Sequence, residues 1–418
     1  MTNISDNAPL TSSACSLTPK VCSQAPTRAS RVLVPLITPY LYGMERAVIE
    51  AFDALRPDVE PHFVQSSRIA GRNPPIIQEL RKRGFHMVLL PDKSDWESPA
   101  RPHSIRHFFA ILVALVRSNA TILRAARGKN ILYVPGVRAG LLSVCAALMF
   151  RIRGRRVVHH FHDLGTSMPG AGFWFSLVTD CVHNTAFGYN VVSKKFPQIM
   201  RKRNVVMPYI LEVERQIPED QKACRIMEGK RNLFFVGQIS QHKGVDILLQ
   251  AFKPIAREHQ DVVLHLVGGC REHFRRQLHL DLLAESALID RVKFWGYRED
   301  ILHLLRSTYL YVPSGPPSRF HESFGRSVVE AMALGVPTVC FRSGALQEIA
   351  VHEKTGLVCD ESAASLAAAL NRFLTEINFR NRCGSNARRR YEGLYSVLVV
   401  RDRWIQFFKP TGEATQQT

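Results

Sequence analysis

Several features that define other classes of protein are missing from this chain of 418 residues. Its longest apolar runs, residues 108–116 and 139–150, are too short to span a bilayer and favour buried helices. Residues 1–30 are rich in Ser, Thr, Ala and Pro but contain no apolar signal core. We therefore expect a disordered N-terminal segment and a cytoplasmic protein.

Cysteine and histidine spacings typical of zinc sites are also absent. The nine cysteines form no C-x-x-C pair, and their number is odd. Four of them lie in apolar stretches and are interpreted as buried thiols in a reducing compartment. These four are Cys145, Cys270, Cys340 and Cys359.

Acidic residues are too few to balance the basic ones. The chain has 36 Asp and Glu against 55 Lys and Arg, a net charge of +19, which favours an anionic partner. The basic residues form short clusters at 81–83, 151–156, 201–203 and 388–390, each by itself typical of a solvated face. Together they favour an anionic membrane surface, of the kind found on the inner face of a membrane. The lack of helix-turn-helix and basic–aromatic patterns argues against nucleic acid.

Short apolar strands alternate with helical segments along two stretches of the chain, and this pattern predicts parallel sheets flanked by helices. The first series has predicted strands at 31–37, 62–65, 86–90, 131–134, 156–162 and 189–193. The second has strands at 232–237, 262–268, 292–296, 309–313 and 336–341. The fold class is therefore α/β with two doubly wound domains, residues 31–207 and 208–394, and a final helix at 395–410.

The segment S-G-P-P-S-R-F-H-E-S-F-G-R-S-V-V-E-A-M-A-L-G-V-P-T-V, residues 314–339, carries the most specific pattern. Apolar residues from Val328 to Ala333 have helical spacing, which predicts a helix that begins near Gly325. The first backbone N–H groups of a helix attract an anionic phosphate. Glu322 and Glu330, close to such a phosphate, are suited to hold sugar hydroxyls. The segment therefore predicts a pocket for a nucleotide sugar.

This segment resembles the motif E-G-F-G-x-x-x-x-E-A-M-A-x-G-x-P-V-V of the family-4 glycosyltransferases of GT-B fold. The residues that match are Glu322, Phe324, Gly325, Glu330, Ala331, Met332, Ala333, Gly335 and Pro337. The resemblance implies two Rossmann-like domains that face each other across a cleft, with the final helix crossing back to the first domain. It also implies retaining transfer of a sugar from a nucleoside diphosphate sugar to an acceptor hydroxyl.

Within the resemblance, Glu330 matches the residue that binds the ribose, and Glu322 the residue near the transferred sugar. Phe324 and Gly325 offer backbone N–H groups to the phosphate or sugar. In F-V-G-Q-I-S-Q-H-K-G, Gly237 lets the backbone approach the phosphates and Lys243 supplies a charge for the diphosphate. Gln238 stands where the family usually has arginine, and Arg326 replaces an aliphatic residue. We expect Arg326 to supply the missing positive charge.

Three further loops are expected to line the donor site. Gly344 presents its backbone to the donor sugar, Gly268 follows a strand, and Tyr297 and Arg298 flank the nucleotide base. A structural turn is the alternative for the glycines that follow strands. The resemblance implies no cofactor and no metal, since the closest strings to a D-x-D motif, at 53–55 and 281–283, do not fit a donor loop.

In the first half, H-H-F-H-D-L-G places His160 and His162 on one face of a strand. Two histidines and Asp163 lack a third metal ligand. The resemblance implies instead that His162 contacts the donor sugar or the acceptor hydroxyl and that Asp163 orients it; a satisfied core histidine is the alternative. Gly43 and Glu45 resemble the family's first glycine loop, on the acceptor side.

The function predicted from the whole pattern is a glycosyltransferase acting on a saccharide or lipid-linked acceptor in surface polysaccharide or glycolipid assembly. The alternative is a catalytically weak GT-B scaffold, or a basic protein that binds a membrane surface. Gln238 keeps this alternative open, because a neutral amide loses the charged contact with the diphosphate.

Overall fold

The computed structural model describes residues 29–41, 43–90, 105–164, 170–213, 229–283, 288 and 290–409. The predicted disordered segment, apart from its last two residues, lies outside this part of the chain. The described residues form two parallel sheets, each flanked by helices.

The first sheet has seven strands in the order β3-β2-β1-β4-β5-β6-β7, all of them parallel. Its strands are β1 (Ser30–Pro35), β2 (Val59–Ser66), β3 (His86–Leu90), β4 (Ile131–Val134), β5 (Arg156–Phe161), β6 (Asp180–His183) and β7 (Arg203–Val206). Its helices are α1 (Gly43–Ala54), α2 (Ser67–Gly71), α3 (Pro75–Lys82), α4 (Ile105–Ala125), α5 (Val137–Leu141), α6 (Val144–Ile152), α7 (Ala171–Leu177) and α8 (Ala186–Lys195). A 3-10 turn, Pro197–Arg201, precedes β7.

The second sheet has six parallel strands in the order β10-β9-β8-β11-β12-β13. Its strands are β8 (Arg231–Val236), β9 (Val262–Val267), β10 (Val292–Gly296), β11 (Leu310–Tyr311), β12 (Thr338–Phe341) and β13 (Gly356–Cys359). The helices are α9 (Val245–Glu258), α10 (Glu272–Leu283), α11 (Ile301–Leu305), α12 (Arg326–Ala333), α13 (Leu346–Ile349), α14 (Ala363–Thr375), α15 (Ile377–Leu394) and α16 (Val397–Phe408). None of the helices in the described ranges is long and apolar enough to cross a bilayer.

These two sheets confirm the predicted architecture of two doubly wound α/β domains. In both sheets the central strands are apolar runs that are buried on both faces, as parallel strands covered by helices require. The helices bury one stripe each; α9 places Leu248, Leu249 and Phe252 in the core of the second domain. Each such side chain contributes about 1.5–3 kcal/mol when it is fully buried.

Two local predictions were wrong. Residues 189–193 belong to helix α8 rather than to a strand, because the Thr185 side chain accepts a hydrogen bond from Gly188 N and starts a helix there. The strands of this region are β6 and β7 on either side of it. Cys145 is exposed, because it lies on the outer face of α6, whereas Cys340 is buried as expected.

The last helix, α16, packs against the first domain although it follows the second in sequence. Val400, Trp404 and Phe408 join the hydrophobic cluster beneath α1. Trp404 donates a hydrogen bond from its indole to the Pro208 carbonyl at 3.1 Å, and Ser30 Oγ donates to the Phe408 carbonyl at 2.9 Å. The chain therefore passes between the domains at two places, near residue 208 and near residue 396.

Candidate active site

Helix α12 begins at the carboxyl end of the second sheet, and a pocket lies at its first turn. Gly325 precedes the helix with a φ of 79°, a left-handed conformation that glycine adopts without strain. In parallel α/β sheets, ligands bind at this end of the strands. Residues that line the pocket include Lys243, Tyr311, Phe320, Glu322, Gly325 and Ser327.

Lys243 and Glu322 meet in this pocket. Lys243 Nζ lies 3.2 Å from Glu322 Oε2 and 3.4 Å from the centre of the Phe320 ring. The lysine ends a 3-10 turn, Gln241–Lys243, in which the Ser240 side chain accepts a hydrogen bond from Lys243 N. The structure thus brings together the cation expected for a diphosphate and the carboxylate expected for the sugar.

The loop that carries Glu322 is held from behind by the loop after β12. Ala345 N donates to the Glu322 carbonyl at 2.8 Å. Gly344 has a φ of +56°, and a Cβ atom at this position would lie 2.3 Å from the Glu322 carbonyl oxygen. Gly344 therefore allows two backbones to approach closely, and through this contact it positions Glu322.

Glu330 is buried one turn into α12, where it forms a triad with Arg326 and Glu50. Arg326 donates from Nε to Glu330 Oε1 at 2.8 Å, and from Nη2 to Glu50 Oε1 at 3.0 Å. Burial raises the pKa of Glu50, although Arg326 acts against this shift. Despite its own burial, the two carboxylates raise the pKa of Arg326.

The contacts within this triad make Arg326 less suited to the expected role of supplying positive charge to the diphosphate. Its guanidinium is already compensated by Glu330 and Glu50, so it offers a phosphate far less attraction than a free cation would. Lys243 is the cation that lines the pocket. The structure therefore gives Arg326 a place between the two domains, beside Glu330.

The remaining donor-side loops lie around this centre. Gly237 and Gly268 touch, since a Cβ atom on Gly268 would lie 1.8 Å from the Gly237 carbonyl oxygen. Gln238 and Tyr297 are exposed, and Arg298 pairs with Asp300 at 2.6 Å. These five positions do not line the pocket of Lys243 and Glu322.

On the opposite wall, His162 follows β5 and faces the second domain. Its Nδ1 lies 2.7 Å from the hydroxyl of Tyr209, and the two rings stack at 11°. Its Nε2 is buried and has no hydrogen-bond partner among the described residues. Burial lowers the pKa of His162 well below its usual value, so the ring is neutral. Tyr209 holds this ring, whereas Asp163 is exposed, and the expected role of Asp163 in orienting His162 stays a prediction.

The neighbouring histidines serve the core. His160 contacts the Tyr133 hydroxyl and Asn184, and His159 accepts a hydrogen bond from the Trp174 indole at 3.2 Å. Burial lowers the pKa of both to about 3. Of these three histidines, His162 alone has a buried ring nitrogen without a hydrogen-bond partner among the described residues, which singles it out as a candidate for ligand contact.

Direct hydrogen bonds join the two walls. Ser323 Oγ donates to the His162 carbonyl at 3.0 Å, and Thr185 Oγ1 donates to the Ser323 carbonyl at 3.0 Å. The Glu348 carboxylate accepts from the backbone N–H groups of Ala186 and Phe187 at the start of α8. These contacts bring the His162 strand next to the Glu322 loop.

On the acceptor side, Gly43 is the first residue of α1 and Glu45 is buried in its first turn. A Cβ atom on Gly43 would meet no heavy atom within 4 Å. The same helix carries Glu50, so one helix of the first domain contributes both the predicted acceptor-side residues and the carboxylate that pairs with Arg326.

Sequence reasoning missed Glu50, Tyr209 and the bridging role of Ser323. Glu50 had a detectable signal, because it interrupts an apolar helix face just as Glu330 does, and a buried carboxylate needs a partner. Tyr209 gave no sequence signal of this kind, apart from its position in the segment that joins the domains.

Comparison with solved structures identifies the fold. Anabaena HepE in complex with UDP and glucose superimposes with a TM-score of 0.70 at 19% identity, over 90% of this chain and 98% of HepE. A Rickettsia africae glycosyltransferase gives a TM-score of 0.74 at 14% identity, over 92% and 98% of the two chains. The fold is GT-B.

Sequence comparison adds a match to a family model over most of the second domain. Residues 216–390 match the model of the family described as Glycosyl transferases group 1. A putative glycosyltransferase of Bacillus subtilis, YtcC, is 31% identical over 185 residues, which make up 42% of this chain and 44% of YtcC. The N-acetyl-alpha-D-glucosaminyl L-malate synthase of Bacillus anthracis is 29% identical over 45% of this chain and 48% of its own length. The chain thus spans about half the length of the curated relatives it matches.

Proposed function

We propose that this protein transfers a sugar from a nucleoside diphosphate sugar to an acceptor hydroxyl, with retention of the anomeric configuration. The observation that carries the proposal is the meeting of Lys243 and Glu322, 3.2 Å apart, beside the first turn of α12. A cation and a helix start suit a diphosphate, while an adjacent carboxylate suits the hydroxyls of a sugar.

In this proposal the donor lies across the second domain. Its diphosphate sits against Lys243 and the start of α12, its ribose against Glu330, and its base near Tyr297 and Arg298. Lys243 exchanges part of its pairing with Glu322 for the diphosphate, which leaves the carboxylate free to accept hydrogen bonds from the sugar. Uridine is the first base to test, since HepE and the pneumococcal O-GlcNAc transferase GtfA were both solved with UDP.

The acceptor hydroxyl enters from the side of α1 and His162. Its oxygen forms a bond to the anomeric carbon on the face from which the phosphate leaves, and the departing phosphate oxygen takes its proton. Lys243 and the helix start stabilise the charge that develops on the leaving diphosphate. His162 Nε2 hydrogen-bonds the donor sugar or the acceptor. We expect transfer to survive chelation of divalent metals.

The acceptor is a saccharide or lipid-linked hydroxyl, of the kind used in polysaccharide or glycolipid assembly. The basic character of the first domain supports an acceptor presented with negative charge, such as a lipid diphosphate. The base, the sugar and the linkage depend on the loops of this particular chain.

The test begins with thermal denaturation in the presence of UDP, GDP, ADP and their common sugar conjugates. A ligand at about 100 times its Kd should stabilise the protein by about 2.7 kcal/mol. The informative variant is Lys243→Ala, because this lysine lines the pocket at a partly exposed position. Lys230→Ala is the matched control. It removes the same charge from the residue that precedes the amino end of β8, whereas the pocket lies at the carboxyl end of the sheet.

We expect one nucleotide to shift the wild type and the Lys230 variant but not the Lys243 variant. The bound donor is then incubated with candidate acceptors, and the anomeric configuration of the product is read by NMR. An inverted product would refute retention. If no nucleotide shifts a folded protein, the proposal fails and the catalytically inactive scaffold is the better interpretation.

A further inference from the structure

One face of the first domain combines exposed apolar side chains with unpaired cations. Helices α4, α6 and α7 and the 3-10 turn Pro197–Arg201 all bury side chains in the same hydrophobic cluster, which includes Ile122, Phe150, Trp174 and Ile199. The three helices pack side by side, and the turn packs against α7. They therefore cover the same side of the first sheet, and their other sides face outward.

The outward side carries large apolar residues, which are costly to leave in water. The exposed fractions are 63% for Val116, 50% for Leu148, 77% for Ile152, 60% for Phe173 and 61% for Met200. Single exposed apolar residues are common on protein surfaces. Five of them on four adjacent elements form a patch, and such a patch marks an interaction surface.

Basic residues surround these apolar side chains. Arg117, Arg151, Arg153, Arg201 and Lys202 lie on or directly after the same elements, and none of them forms an ion pair with a residue that the structure describes. Burial, and next the positive charge of Arg151, lowers the pKa of Lys202, in line with the position of these two cations on neighbouring elements.

Acidic residues are correspondingly rare in this region. Between Arg101 and Leu211 the chain has Asp163 and Asp180 as its only carboxylate side chains. Asp180 is buried and paired with Arg156 at 3.0 Å, and Asp163 directly follows His162 in the chain. On the other side of the sheet, by contrast, Arg83 is paired with Asp53, Glu79 and Glu212. The cations of the outward side therefore lack nearby carboxylates among the described residues and are suited to bind an anionic partner.

We propose that this surface, made of α4, α6, α7 and the turn Pro197–Arg201, docks the protein on an anionic lipid bilayer. Val116, Leu148, Ile152, Phe173 and Met200 enter the boundary between headgroups and acyl chains, and the surrounding arginines and Lys202 bind the anionic headgroups. Four of these five apolar side chains are not aromatic, which suits lipid better than nucleic acid, because single-stranded nucleic acid selects aromatic surfaces on which bases stack. Lipid binding requires no nucleotide, so this inference stands independently of the proposed transfer.

The experiment is sedimentation of the full chain with vesicles of phosphatidylcholine that contain either no phosphatidylglycerol or about one third of it. We expect binding to the anionic vesicles that weakens as salt is added, since exposed charges are screened. Ile152→Ser combined with Phe173→Ser should reduce partitioning at least tenfold. Arg151→Gln and Arg153→Gln should each reduce it about fivefold.

Leu398→Ser is the matched apolar control, since Leu398 is 78% exposed on α16, and Arg276→Gln is the matched charge control on α10. Both should sediment as the wild type does, and Lys243→Ala should as well, which separates this test from that of the transfer. Equal binding to neutral and anionic vesicles, no binding, or binding insensitive to the Ile152 and Phe173 changes would overturn the proposal. Tighter binding to duplex DNA than to anionic vesicles would overturn it too.

Discussion

Arg326 and Glu50 form a buried ion pair that joins the two domains, with 2.9 Å between guanidinium Nη2 and Oε2 of the carboxylate. They are 276 positions apart in the chain. Because the same guanidinium also binds Glu330, the residue proposed to hold the ribose is linked directly to the first domain. Nucleotide binding and the relative position of the domains should therefore depend on one another.

Replacing Arg326 with Met should destabilise the protein by about 3–5 kcal/mol, because it leaves two buried carboxylates without their cation. Combining it with Glu50→Gln should cost clearly less than the sum of the two single changes, since the double variant buries one charge fewer. Urea denaturation of the four proteins measures this coupling. Arg276→Ala, which breaks the exposed pair with Glu272, is the control and should change stability by less than about 1 kcal/mol. Additive effects would mean that the pair contributes no coupling.

Tyr209→Phe should impair transfer while leaving nucleotide binding intact. The change removes the hydroxyl that holds His162 Nδ1, and a misdirected group in an active site can lower the rate by about 100-fold. Turnover and the thermal shift by the nucleotide are measured on the same preparation. Tyr309→Phe, which removes a hydroxyl bonded to the Phe373 carbonyl far along the second domain, should keep its turnover. A similar loss in both variants would assign the effect to stability alone.

Gly344→Ala should weaken both folding and donor binding. A methyl group at this position meets the Glu322 backbone, and the left-handed conformation adds a further cost of about 1–2 kcal/mol. Gly393→Ala in α15 is the control, because open space surrounds it and alanine stabilises a helix by up to about 1 kcal/mol. Thermal denaturation with and without nucleotide distinguishes the two. A Gly344 variant that binds nucleotide as tightly as the wild type would show that this contact does not position Glu322.

Acid should destabilise the first domain well above the pH at which carboxylates titrate. Burial holds the pKa of His159 at about 3 in the folded protein, whereas an unfolded histidine titrates near about 6.5. Below about pH 6.5 the unfolded chain binds a proton that the folded chain does not. The free energy of unfolding therefore decreases by about 1.4 kcal/mol for each unit by which the pH is lowered, for each such histidine.

Urea denaturation at about pH 7, 6 and 5 measures how steeply the free energy of unfolding changes with pH. His159→Gln should reduce this slope by the contribution of one histidine. Glutamine keeps an acceptor for the Trp174 indole. His273→Gln, at an exposed position on α10, should leave the slope unchanged. An unchanged slope in the His159 variant would mean that this histidine protonates in the folded state.

Both sheets could be predicted because parallel strands buried on two faces are nearly continuous apolar runs, which the chain separates with helical segments. Residues 189–193 show the limit of this argument. Tyr189, Val191 and Val192 have a strand-like composition, yet Thr185 starts a helix in front of them, and a local cap outweighs a weak β preference there.

The second-domain half of the site could be predicted from sequence alone, because Glu322, Gly325 and Glu330 belong to one loop and the helix that follows, whose geometry is local. The partners of these residues depend instead on how the folded domains pack. Glu50 reaches Arg326, Tyr209 holds His162, and Thr185 and Ser323 join the walls through contacts between distant parts of the chain. Such contacts depend on how two separately folded sheets pack together, and side-chain periodicity carries no information about that packing.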